Sequence, residues 1–503
     1  MNNKVWLNHL SNEVMRGARN NNLCSYVIAL EGWRRGLELT FYSKLVKKDT
    51  LHAPGLLFSL SDGKELHMFY KSRGYNVKNE AFTIGGNKFK AKIALDKAGV
   101  PVPKGKLFSG DTQDSEVIKY AKEIGYPVVL KPSNAAQGKG VIANIENEEF
   151  LKESLNYVRK QLGYSEIILE EHVFGHEYRV YVMHDDVIAV LNRDPANVVG
   201  DGKRTIKELI NKKNKDRKKN PRLYSCLIKV DYEIENVLKD KGLSLETIPE
   251  KNEKIYLRSK SNITSGGDSI DVTDEFPDEI KKVAVDALKA IPNFPNGGVD
   301  IMVDPNKSTL DSAKVIELTP VPQIGSLVFP MSGKARDIPS AIIDEYFPET
   351  RELSNNNPNI YFYLPDILRP LVNKTASEVK VIPCPTNIEL QKKVIVTGSF
   401  GQNKTLRAVR KLALENNLHG YVQKIKTNQV EIGIAGTNDD ISTFISLLKK
   451  ISPIDDLLDK EWDAPIKVGF EIKKSILDKE VVANNKQTHR KKGVFVRLFN
   501  KLS

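Results

Sequence analysis

PVVLKPSNAAQGKGV, residues 127–141, decides how this chain is read. An apolar, β-branched run ends at Lys131, a glycine-rich loop follows, and VIANI (141–145) resumes as a strand. Short apolar runs bounded by turn residues are buried strands. Glycines in the loop let backbone N–H groups approach phosphate oxygens, and Lys139 adds positive charge. This is not the Walker P-loop, because Lys139 is followed by Gly140 and a strand rather than by Ser/Thr and a helix. Alone, the loop suits an ordinary turn equally well, and Lys131 an exposed strand-end lysine. Its neighbours separate the readings.

Upstream, NKFKAKIALDKAGVPVPKG (87–105) predicts a helix closed by Gly99 and a proline-stiffened turn, and SEVIKYAKEIGY (115–126) a second helix. Downstream come a helix over 148–162, a strand over 165–171 and a hairpin over 178–193 that turns at His184, Asp185 and Asp186. GGVDIMVD (297–304) and AKVIELTP (313–320) predict a second hairpin across a polar turn containing Pro305, Asn306 and Lys307. Asp300 and Glu317 interrupt these apolar strands, where an unpaired buried carboxylate costs several kcal/mol. Thr319 shares a face with Glu317. Two carboxylates on adjacent strands suit Mg²⁺, a hard cation that takes one or two carboxylates plus phosphate oxygens; a pair of salt-bridged carboxylates is the plainer alternative. YLRSKSNITSGGDSIDVTD (256–274) adds Arg258 and a polar turn of Asn262, Ser265, Gly266 and Gly267, suited to holding a phosphoryl group through N–H donors and a guanidinium.

The flanks are less telling. Residues 1–86 contain no motif tied to chemistry, and RELSNNNPN (351–359) opens a boundary region. Residues 391–474 predict strand, helix, strand, strand, helix, strand, the ferredoxin-like order. The expected domains are therefore 1–86, 87–350, a linker over 351–390, 391–474, and a basic tail over 475–503.

At 503 residues, several domains are expected. The 76 basic and 64 acidic residues give +12, interspersed along the chain, which argues for acidic small-molecule or peptide substrates and against nucleic acid. Cys24, Cys226 and Cys384 form no CxxC pair, so neither a disulfide scaffold nor a zinc site is expected. The start MNNKVWLNHLSNE lacks the pattern of a signal peptide, and a cytoplasmic location is the expectation. The tail interleaves Arg490, Lys491, Lys492, Arg497 and Lys501 with Val494, Val496, Leu498, Phe499 and Leu502, a candidate for contact with a protein or an anionic membrane. A homo-oligomer is the default expectation.

In their order and spacing, these motifs resemble the ATP-grasp superfamily, and most of all the ATP-grasp domains of bifunctional glutathione synthetases and cyanophycin synthetases. The resemblance runs through PVVLKPSNAAQGKGV, ILEEHVFGHEYRV, VLNRDPANVVGDGKRTIKELI, IYLRSKSNITSGGDSIDVTD, GGVDIMV, KVIELTP and GKARDIPSAIIDEYFP, over about half the chain. It implies a multidomain α+β protein with an ATP-grasp fold, acting as an ATP- and magnesium-dependent carboxylate–amine ligase, with Mn²⁺ as a substitute cation. Lys88 and Lys131 would contact ATP phosphates, under a loop that includes Gln137, Gly138, Lys139 and Gly140. Glu170 would face the adenine amino group, the Val173 backbone the adenine edge and Glu177 the ribose. Asp300 and Glu317 would hold metal, Arg258 and Asn262 the phosphoryl group, and Arg179, with Ser265 and Gly266, the substrate. One departure stands out: the family reads Glu-x-Asn where this chain has Glu317-Leu318-Thr319, and a hydroxyl is a poorer metal ligand than an amide carbonyl. A nucleotide-binding regulatory protein without turnover and an ATP-grasp phosphotransferase are the alternatives.

The segment VTGSFGQNKTLRAV with NNLHGYVQKIKTNQVEIGIAGT resembles acylphosphatase. Arg407 matches that family's loop arginine, the loop is one residue longer, and Lys424 stands where the family has asparagine. A degenerate acylphosphatase fold is the expectation, with binding retained and hydrolysis lost.

Overall fold

The computed structural model describes residues 6–43, 53–133, 139–353 and 358–475. The basic tail from residue 476 onward, and Gln137 and Gly138 of the glycine-rich loop, lie outside the described residues. The chain divides into two compact units. One holds Glu38–Glu352, Pro370–Lys380 and the chain up to Glu31; the other holds Gly32–Leu37, Leu353–Arg369 and the chain from Val381 onward.

In the first unit, residues up to Gly74 contribute four antiparallel strands of a five-stranded sheet, packed through Phe41, Phe58 and Phe69. Its remaining strand, Glu378–Lys380, pairs with Glu38–Tyr42 and comes from the stretch read as linker. Helix α1 (Lys88–Lys97) follows, capped by the Asn87 side chain, which accepts from the N–H groups of Phe89 and Lys90. Its C-terminal end is closed by Gly99 at φ +75°.

A four-stranded antiparallel sheet then forms from β1 (Gly105–Phe108), β2 (Val128–Pro132), β3 (Ile142–Ile145) and β4 (Ile167–Glu171), in the order β1-β4-β2-β3. Helices α2 (Asp114–Ile124) and α3 (Glu148–Leu155) bury Val117, Ala121, Leu151 and Leu155 in a core shared with Val128, Leu130, Ile167 and Leu169 of this sheet. Residues 172–175 lead into a larger sheet of β5 (His176–Met183), β6 (Asp186–Asp194), β7 (Asp268–Asp271), β8 (Asn296–Val303) and β9 (Ala313–Thr319), in the order β7-β6-β5-β8-β9. Both expected hairpins are present, β5–β6 and β8–β9. Between β6 and β7, helices α4 (Ile206–Arg217) and α5 (Tyr232–Asp240) form an insertion with its own apolar core. Helix α6 (Asp278–Lys289) packs on the large sheet through Ile280, Ala284, Ala287 and Leu288.

The second unit contains β10 (Leu390–Gly398), α7 (Asn403–Glu415), β11 (His419–Lys426), β12 (Gln429–Gly436), α8 (Asn438–Ile451), β13 (Ile454–Glu461) and β14 (Phe470–Lys473). The sheet order is β13-β10-β12-β11-β14. The ferredoxin-like arrangement is there, but its fourth strand is IDDLLDKE (454–461) rather than IKVGFEIK (466–473), whose second half forms β14 beside β11. The reason is burial: β13 is a mostly exposed edge strand rich in charge, so its text lacks the apolar alternation that marks a strand.

Candidate nucleotide and metal site

The register of the large sheet places Arg179, Asp300 and Glu317 directly opposite one another across β5, β8 and β9. Asp300 is buried. Arg179 donates to both of its oxygens, Nε to Oδ1 at 2.7 Å and Nη2 to Oδ2 at 2.7 Å. The same Nη2 reaches the Thr319 hydroxyl at 3.2 Å. Arg193 donates to Asp300 Oδ2 at 3.1 Å and also pairs with Glu177. Burial pushes the Asp300 carboxyl up, but Arg179 and Arg193 outweigh it and hold the group below its ordinary value. Glu177 goes the other way, raised chiefly by burial and further by the Asp300 charge, against the pull of Arg193.

Helix α1 ties this row to the smaller sheet. Lys88 and Lys92 lie one turn apart on one face. Lys88 Nζ is 3.3 Å from Glu317 Oε1, and Lys92 Nζ is 3.3 Å from Glu170 Oε2. The other oxygen of Glu170 accepts from Lys131 at the end of β2. Glu170, assigned by resemblance to the adenine amino group, is here the shared partner of two lysines. Burial lowers the Lys92 pKa, with Glu170 opposing that effect.

Past the glycine-rich loop, Lys139 is exposed, and Gly140 adopts φ +71°, where a Cβ would lie 2.8 Å from the Pro132 ring. Val173 is half-buried in the 172–175 turn. There Gly175 lies so close to β8 that a Cβ would meet the Val303 carbonyl oxygen at 2.1 Å.

The phosphoryl-binding candidates form a separate group. Arg258 is buried and donates to the carboxylates of Asp231 and Glu233 at the start of α5. The Asn262 Oδ1 accepts from the Thr264 N–H at 2.9 Å, and its carbonyl accepts from Ser265 and Gly267. Gly266 donates to Ile263 O. The backbone donors expected to hold a phosphoryl group therefore close this turn internally. Lys260 Nζ meets Val141 O at 3.3 Å, joining the turn to the end of the glycine-rich loop. Beneath it lies Arg217, fully buried, which donates to Asp268 Oδ1, to the Ile263 and Gly267 carbonyls and to Cys226 O.

Four residues escaped the sequence reading: Lys92, Arg193, Lys213 and Arg217. Lys92 had a signal in its i+4 spacing from Lys88, and Arg193 stands inside the quoted motif VLNRDPANVVG. Lys213 and Arg217 sit in the basic run NKKNKDRKK, which looks like a solvated face until Asp268 is placed against them, 2.5 Å from Lys213 and 2.9 Å from Arg217. In the second unit Lys424 lies against the loop, its Cε 3.2 Å from where a Cβ on Gly401 would stand. Arg407 is exposed and, with Arg410, Lys411, Leu414 and Glu415, lines a shallow depression along α7.

Among the described residues no group of three or more His, Cys, Asp or Glu could hold a metal, and no helix is long and apolar enough to cross a membrane. Residues 87–209 match the family described as carbamoyl-phosphate synthase L chain, ATP binding domain, and residues 392–472 match acylphosphatase. The glutathione biosynthesis bifunctional protein GshAB of Clostridium perfringens (strain 13 / Type A) is 32% identical over 355 residues, covering 68% of this chain and 44% of that protein. The protein of the same name from Pasteurella multocida (strain Pm70) is 34% identical over 295 residues, 56% of this chain and 38% of the relative. The crystal structure of a bifunctional glutathione synthetase from Pasteurella multocida aligns at a TM-score of 0.46 and 30% identity, over 58% of this chain and 41% of that one. This chain thus spans less than half the length of these relatives. It carries an ATP-grasp domain followed by an acylphosphatase-like domain.

Proposed function

We propose that this chain is an ATP- and Mg²⁺-dependent carboxylate–amine ligase, with the chemistry carried by residues 87–350. The observation that supports it most is the charged row Arg179–Asp300–Glu317, linked through Lys88 and Lys92 of α1 to the Lys131–Glu170 pair. Four cations and three carboxylates thereby line the route from the glycine-rich loop to the large sheet. The substrate carboxylate attacks the γ-phosphorus of ATP, ADP leaves, and an acyl phosphate forms. An amine then attacks the acyl carbon and phosphate departs, leaving an amide.

Lys131 and Lys88 neutralise phosphate charge, and Arg258 steadies the transferring group. Glu317, half-exposed beside Asp300, offers the hard carboxylate oxygens that fit Mg²⁺, with Mn²⁺ as a substitute. Bound there, the cation would neutralise the charge developing on the phosphates. Three buried, unpaired cysteines suit a reducing cytoplasm.

The test is incubation with ATP, Mg²⁺ and pooled amino acids and dipeptides, followed by mass spectrometry. A condensation product formed in step with ADP supports the ligase. Tight ATP binding with no ADP formed in any pool would favour a nucleotide-binding regulator instead, a reading supported by the engagement of the Thr319 hydroxyl and of the 262–267 backbone donors.

A further inference from the structure

We propose that the Asp300–Glu317 site takes a single divalent cation through Glu317, and that the Arg179 guanidinium stands where a second cation would lie between Asp300 and Thr319. This rests on the nucleotide-dependent reading above. A carboxylate offers about four lone-pair positions. On Asp300, three are directed at N–H donors, from Arg179 Nε and Nη2 at 2.7 Å each and from Arg193 Nη1 at 3.1 Å. The Thr319 hydroxyl, the next oxygen on β9 facing the same side, accepts from that same Nη2 at 3.2 Å. Both oxygen-bearing side chains that would complete a second cation site are therefore turned toward one guanidinium.

A divalent ion bound to Asp300 would sit within a few ångströms of two fixed positive groups, about 5 Å or less, where like charges repel strongly in a buried setting. The arginine is also the better match for this carboxylate, since its planar fork meets both oxygens at once.

Glu317 is placed differently. Its side chain is 43% exposed, and among the described residues its ion-pair partner is Lys88, at 3.3 Å. It keeps lone pairs open to an ion that draws its other ligands from phosphate oxygens and water. The cross-strand row then reads Arg179⁺, Asp300⁻, Glu317⁻, Lys88⁺. One divalent cation shared with a polyanionic nucleotide adds to this balance without crowding the arginine.

The experiment is a Mn²⁺ titration, read by electron paramagnetic resonance, of the full chain saturated with a non-hydrolysable ATP analogue. Wild type is expected to bind one Mn²⁺ per chain, Glu317→Gln to bind it about tenfold or more weakly, and Arg179→Gln to bind two. Asp300 keeps Arg193 in the last variant, so its charge is not left unpaired. Should Arg179→Gln fail to fold, wild type with Arg179→Lys decides, both being expected to bind one. Two Mn²⁺ in wild type, or one in folded Arg179→Gln, overturns the proposal while the analogue remains bound. Failure to bind the analogue at all overturns the ligase reading, and this proposal with it.

Discussion

Lys131 and Glu170 pair directly with each other, on adjacent antiparallel strands, with Lys92 completing the group from α1. A lysine assigned to phosphate and a glutamate assigned to adenine thus share one buried ion cluster. Replacing Lys131 with Met should weaken ATP binding by about 1.5–3 kcal/mol, the usual worth of a charged hydrogen bond. Glu170 would still hold Lys92, so the fold should survive. Isothermal calorimetry on the folded variant checks this, and an unchanged ATP affinity would remove Lys131 from the site.

Asp300→Asn and Glu317→Gln should each abolish ADP formation. For Asp300→Asn, stability should also depend on pH differently from wild type. The Asp300 carboxyl is held below its ordinary value, so its stabilisation is present above about 3.9 and lost as pH falls through the folded-state value. The gap in urea midpoint between wild type and Asp300→Asn should therefore narrow between pH 7 and pH 3. A gap that stays constant, or an Asp300→Asn enzyme that turns over normally, contradicts the role given to Asp300.

Arg217 is the fully buried member of the Asp268 cluster, and its donors also reach two carbonyls of the 262–267 turn. Removing one partner of a buried ion pair typically costs about 3–5 kcal/mol. Lys213 remains on Asp268, so Arg217→Ala is expected at the lower end of that range in urea denaturation. A loss under about 0.5 kcal/mol, the size of an ordinary surface substitution, would show that the cluster does not hold the turn.

Burial raises the Cys24 thiol and pushes Cys384 up to about 12. Thiolate is the reactive form. With all three cysteines free and buried, a disulfide-exchange reagent such as Ellman's should react slowly with native protein at pH 8 and titrate three thiols after denaturation. Rapid native labelling of Cys384 would mean its surroundings open readily.

The acylphosphatase-like domain should not hydrolyse benzoyl phosphate above background. Lys424 stands beside the loop, where an ammonium donates hydrogen bonds but cannot accept one from an attacking water. Efficient hydrolysis by the full chain, lost on Arg407→Ala, would make this a protein with two activities.

The sequence by itself determined the local elements and the pairing of the strands that carry Asp300 and Glu317. Alternation, Gly99 and the glycine-rich loop identify α1, β2 and β3, and the apolar strands around Asp300 and Glu317, joined by a polar turn, imply a hairpin. Tertiary structure alone decided which cation meets which carboxylate. Arg179 and Asp300 are 121 residues apart, Lys88 and Glu317 are 229 apart, and β5 pairs with β8 across that long separation. It also decided that Arg217, unremarkable within a basic run, is buried, and that β13, rather than the more apolar segment after it, pairs with β10. Periodicity reports which face of an element is apolar. The partner of a charge depends on register between strands distant in sequence, and no local pattern encodes that.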